Sequence, residues 1–164
     1  MSEQPRKPRN TTGVGGAVVR DNELLVVRMT YGPSQGRYML PGGLLDPGET
    51  ADVAVAREVR EETSIEAVPQ GIIGVRCRYT ERGTDTYLIW QMDYLSGEPE
   101  GDGREIEHAR FMTLEEIEQR DDVVYLVSYV AGKVFNGGAD VLEYKTDYEY
   151  LMPGATPDSW KLFM

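Results

Sequence analysis

LPGGLLDPGETADVAVAREVREETSI, Leu40 to Ile65, joins a glycine-rich turn to a stretch crowded with carboxylates. From Thr50 to Thr63 it contains no Gly or Pro and is rich in Ala, Glu and Arg, which predicts a helix beginning near Glu49 or Thr50. At about 100° per residue, Ala51, Ala54, Val55 and Val59 share a side that faces protein, while Asp52, Ala56, Arg60 and Thr63 point away. Glu58, Glu61 and Glu62 fall on or beside the protein side.

Carboxylates gathered on that side repel one another, and burying one without a partner is costly, so a cation must share the site. A hard divalent ion such as Mg²⁺ or Mn²⁺ suits carboxylate oxygens. Taken alone, the helix also fits a solvated acidic surface whose glutamates pair with Arg57 and Arg60. The preceding turn favours the first reading. Pro41 fixes one backbone torsion while Gly42 and Gly43 permit close approaches, so backbone amides or carbonyls can be set against a metal or phosphate.

The segment resembles the signature box of the Nudix hydrolases: Gly, five residues, Glu, seven residues, Arg-Glu, an aliphatic residue, any residue, Glu-Glu, any residue, Gly, an aliphatic residue. Gly43, Glu49, Arg57, Glu58, Val59, Glu61, Glu62 and Ile65 stand in register. Ser64 replaces the last Gly, which usually ends the helix in a left-handed conformation. The resemblance implies an α/β fold, a Nudix-type α/β/α sandwich with a mixed β-sheet between helices. It implies hydrolysis of a phosphoanhydride bond in a nucleoside diphosphate derivative of the ADP-ribose or nucleotide-sugar type. A nucleoside triphosphate pyrophosphatase and a non-catalytic nucleotide-sensing module are the alternatives. Glu58, Glu61 and Glu62, with the Gly42 carbonyl, are the implied ligands of Mg²⁺ or Mn²⁺. Arg57 is implied to hold a glutamate of the box in place, and Glu49 to buttress the loop or helix.

A further glutamate outside the box often serves this family as metal ligand or general base. Glu105 and Glu107 are the candidates, and Glu61 is a third candidate for the base. His108, the sole histidine, lies on the opposite side of its strand from Glu107 by alternation. Arg76 and Arg78 share one strand face and, with Arg37, are candidates for holding substrate phosphate.

The length of 164 residues suits one domain, expected at 13–138 between a basic arm at 1–12 and an extension at 139–164. A composition of 40% hydrophobic and 27% charged residues is that of a globular chain. The formal charge of −11 argues against nucleic acid and anionic membrane as partners. Without a membrane-length apolar run or a secretory signal core, a cytoplasmic location is expected. Cys77, the only cysteine, reads as a small strand residue.

Elsewhere, Val14–Val19 with Leu24–Arg28, and Gly71–Thr80 with Thr86–Tyr94, read as hairpins. YGPSQG, Tyr31 to Gly36, reads as a loop, and Ser96–Gly103 as a loop near the site. Arg104–Phe111 reads as a strand, and Thr113–Gln119 as a short helix opened by a capping box. An apolar helix over 122–135 is expected to dock on the sheet or on a second subunit of a homodimer. The tyrosines and Trp160 of the extension cover the core, exchange with a partner chain or stack on a base.

Overall fold

The computed structural model describes residues 10–80, 83–137, 144–145 and 160–163. Strand β1 (Thr11–Arg20) and strand β2 (Glu23–Met29) form the first hairpin, with Val19 opposite Leu24 and Arg20 opposite Glu23. Asp21 and Asn22 both take positive φ, 52° and 63°, the two-residue turn whose twist matches that of its strands. Strand β3 (Tyr38–Met39) joins β2. The glycine turn then becomes strand β4 (Gly42–Leu44), paired antiparallel to β1. Only glycine fits at position 42, because a Cβ there would run into the Val14 carbonyl.

Helix α1 (Ala51–Thr63) leads into strands β5 (Glu66–Thr80) and β6 (Gly83–Ser96), a hairpin longer than the apolar runs predict. A register shift between Pro69 and Gly71 accommodates the proline, which cannot donate to the ladder. Strand β7 (Ile106–Thr113) runs into helix α2 (Leu114–Glu118), whose N-cap Thr113 side chain accepts the Glu116 N–H. Helix α3 (Tyr125–Asn136) and short strands β8 (Tyr144–Lys145) and β9 (Trp160–Phe163) follow.

Among the described residues the sheet runs β3-β2-β1-β6-β5-β9-β8, with β4 on β1 and β7 on β2. It is mixed because β1 and β6 are parallel while the other pairs are antiparallel. Strand alternation sends Val14, Val18 and Leu25 to α1, where they pack with Ala54, Val55 and Val59. Ala17, Leu24 and Val26 point the other way, onto Val127, Val130 and Ala131 of α3. The expected sandwich is present, and α3 docks on the sheet of its own chain.

Several local expectations need correction. Thr63 does not face solvent; it is fully buried, its hydroxyl donating to the Val59 carbonyl and its own carbonyl accepting the Glu100 N–H. The chain after β6 folds over the end of α1 and covers it. The third helix begins at Tyr125 rather than 122, because the Asp122 carbonyl and the Val124 N–H are both spent on the backbone of Tyr38. Strand β7 starts at Ile106 rather than 104, since the Asp102 side chain collects the N–H groups of Arg104, Glu105 and Ile106 in a turn. At the two ends, β1 begins at Thr11, and β9 pairs with β5 over Val75–Arg78. The rest of the basic arm and most of the extension, including Tyr148 and Tyr150, lie outside the described residues.

Candidate active site at the glycine turn

Helix α1 presents its glutamates to the β4 turn one helical turn apart. Glu62 is buried, and its Oε2 accepts the Gly42 N–H at 2.7 Å. Burial pushes the Glu62 carboxyl up to about 8; the Gly42 N–H opposes the rise, and the charges of Glu58, Glu105 and Asp102 add to it. Glu58 is also raised by burial, against the pull of Arg57. It lies so close to the turn that a Cβ on Gly43 would sit 2.5 Å from its Oε1. Glu61 is more open, its side chain 55% exposed, and lies 3.2 Å from the Arg57 guanidinium.

Arg57 ties these parts together. It reaches Glu49 at 2.9 Å, Glu58 at 2.8 Å and the Leu44 carbonyl at 3.2 Å. Its hydrogen bond to Glu49 is the main reason its pKa lies above the ordinary arginine value. Glu49 is held below the usual carboxylate range by the same bond and by the Asp46 N–H. The guanidinium therefore binds the start of the box to its helix. Ser64 takes the left-handed conformation of the missing glycine, with φ 60° and its N–H donating to the Arg60 carbonyl.

The outer glutamates are separated by the turn that opens β7. Glu105 is reached by the Tyr31 hydroxyl at 2.7 Å and adds its charge to that felt by Glu62. Glu107 instead lies 3.5 Å from Arg28. His108 contacts the Tyr38 hydroxyl. Tyr31 is pushed up to about 12, first by its bond to Glu105, then by burial and by the charges of Glu105, Glu62 and Glu58. Glu105 thus belongs to the electrostatic field of the α1 glutamates.

Arg76 and Arg78 do emerge on one face, and both pair with Asp85 across the hairpin. Arg76 also lies 5.0 Å from the centre of the Tyr87 ring. Tyr87 rests on Gly13 and Gly15 of β1, and burial and the charges of Glu62 and Glu58 raise its pKa against the opposing charge of Arg76. Arg76 thus lies against a ring that feels the charge of Glu62 and Glu58, while Arg78 is placed through Asp85. Arg37 is elsewhere, lining a shallow cleft with Gln119, Arg120, Asp121 and Asp122. Tyr31 and Tyr87 were not legible as site residues. Tyr31 lies in a loop separated from Glu105 by 74 positions, with no local motif to mark it.

Among the described residues, no three His, Cys, Asp or Glu side chains surround a common point. The carboxylates stand around the turn without forming a finished cage. Their chemistry nevertheless fits a hard dication: Glu62 is buried with a backbone N–H as its donor and lies in the negative field of Glu58, Glu105 and Asp102, and Glu58 is destabilised by burial. Among the described residues, no helix is long and apolar enough to cross a membrane.

The NUDIX domain family model matches residues 9–129. The chain is 31% identical over 103 residues to an ADP-ribose pyrophosphatase of Methanocaldococcus jannaschii, an alignment covering 62% of this chain and 60% of that protein. It therefore spans less than two thirds of that relative's length. It is 34% identical over 126 residues to a MutT-like protein of Streptomyces ambofaciens, covering 76% of this chain and 78% of the relative. The crystal structure of a NUDIX hydrolase from Nitrosomonas europaea superimposes with a TM-score of 0.67 at 20% identity, over 77% of this chain and 73% of that one, a likeness of fold.

Proposed function

The chain belongs to the NUDIX family, and from that membership we propose that it hydrolyses a phosphoanhydride bond in a nucleoside diphosphate derivative, of which ADP-ribose is the first to test. The observation that carries this reading is the Glu62 carboxylate, buried beside Glu58 at the Gly42 turn and within the field of Glu105. A pure binding module has no use for acids destabilised in this way. The relationship to a protein named ADP-ribose pyrophosphatase supports that choice of substrate.

Glu58 and Glu62 would hold Mg²⁺ or Mn²⁺, with Glu61 and the Gly42 carbonyl as further donors. When bound, the ion supplies positive charge against the diphosphate and acidifies water. Arg57 keeps Glu58 and Glu61 oriented from one side. Glu105 is favoured over Glu107 as the outer carboxylate, since Glu107 is turned to Arg28. Glu105 or Glu61 accepts the proton of the attacking water, a role worth about 10² to 10⁴ in rate. Arg76, against the Tyr87 ring, and its neighbour Arg78 would offer guanidinium charge to the diphosphate.

The test is product release from ADP-ribose, nucleotide sugars, dinucleoside polyphosphates and nucleoside triphosphates, with and without Mg²⁺ or Mn²⁺. Metal-dependent turnover of ADP-ribose or a nucleotide sugar is expected. Turnover confined to triphosphates would replace this reading with a triphosphate pyrophosphatase, and nucleotide binding with no turnover would replace it with a sensing module.

A further inference from the structure

We propose that Tyr31 is a positioning residue for this reaction, its hydroxyl holding the Glu105 carboxylate within the field of Glu62. The inference rests on the hydrolase reading above. It begins with what fixes the backbone of Glu105. The Thr30 N–H donates to the Glu105 carbonyl at 2.9 Å, and the Thr30 hydroxyl lies 2.7 Å from the Arg104 carbonyl. From the other side, Asp102 accepts the N–H groups of Arg104, Glu105 and Ile106. The main chain is thus set by Thr30 and Asp102.

The side chain is another matter. Glu105 is exposed, and a long carboxylate side chain loses conformational entropy when it is ordered. Glu105 and the buried Glu62 feel each other's charge, and like charges repel. The 2.7 Å bond from Tyr31 holds the carboxylate against that freedom and that repulsion. Among the described residues no Lys, Arg or His forms an ion pair with Glu105.

Tyr31 is poorly suited to a packing role, being 52% exposed. Its loop is shaped by backbone bonds that do not use the hydroxyl, from Gly36 N–H to the Met29 carbonyl at 2.8 Å and from Gln35 N–H to the Gly32 carbonyl at 3.1 Å. Losing the hydroxyl therefore frees the carboxylate and leaves the loop in place.

The experiment is a double-mutant cycle on turnover with Tyr31→Phe, Glu105→Ala and both together, with thermal midpoints measured alongside. A hydrogen bond to a charged group corresponds to a factor of about ten or more. Tyr31→Phe is expected to lower kcat by about that factor, with KM and thermal midpoint unchanged. In the Glu105→Ala background the same substitution should change kcat less than about twofold. An equal loss in both backgrounds, or full kcat in Tyr31→Phe, overturns the proposal. If Glu105→Ala is fully active while Glu62→Gln is dead, the role of Glu105 falls with it, and the hydrolase reading stands. If the wild type turns over no substrate of the panel, the reading and the proposal fall together.

Discussion

At the scale of single residues, neighbouring glycines should fail in different ways. A Cβ at Gly43 meets the end of the Glu58 side chain, which can swing aside, whereas a Cβ at Gly42 meets the Val14 backbone, which cannot. Gly43→Ala is therefore expected to fold with a normal thermal midpoint and to lose turnover by about 10²-fold, the cost of a misplaced catalytic group. Gly42→Ala should be strongly destabilised, as denaturant midpoints would register. Ser64 offers the opposite opportunity. Its φ of 60° costs a side chain what glycine avoids, so Ser64→Gly should raise stability by up to about 1 kcal/mol and leave turnover unchanged. This position was legible from the signature: the helix ends where the missing glycine indicates. The proposed preference for Glu105 over Glu107 was not, because it depends on the turn that Asp102 ties and on Tyr31, and neither bond has a local sequence signal.

At the scale of the element, α1 carries a charge that its surroundings resist. The folded pKa of Glu62, about 8, is higher than the ordinary 4.5, so the folded state binds the proton more tightly than the unfolded chain does. That contribution is fully present below about pH 4.5 and is lost as pH rises through about 8. With chelator present, stability should decline between those limits, and Glu62→Gln should flatten the decline; denaturant midpoints at pH 5, 7 and 9 would measure both. A wild-type profile no steeper than that of Glu62→Gln would remove burial as the cause. The periodicity of α1 was readable because its apolar positions and its glutamates both follow the helical repeat. Thr63 was misread because its burial comes from a later loop, through Glu100. The start of α3 was misread for a similar reason, since Asp122 and Val124 are drawn to the Tyr38 backbone.

At the scale of the whole molecule, the sheet separates two packing faces and leaves the glycine turn between α1 and the β5–β6 hairpin. The layers were legible from alternation in β1 and β2, which splits Val14 and Val18 from Ala17. The pairing of β1 with β6 was not, because a parallel neighbour 74 positions away leaves no mark in either strand. Strand β9 covers the outer edge of β5 at Val75–Arg78. Deleting the chain from Trp160 onward exposes that edge and should increase self-association, measurable by light scattering. The sheet, the helix and the turn together gather destabilised carboxylates at Gly42, and hydrolysis of a diphosphate is the use we propose for that arrangement. The most direct test is the turnover of ADP-ribose with Mg²⁺, with chelator, and with Mg²⁺ in Glu62→Gln. Turnover is expected in the first case and a loss of at least about 10²-fold in the other two. Undiminished turnover in chelator, or in a folded Glu62→Gln, would overturn metal-dependent hydrolysis at Glu62.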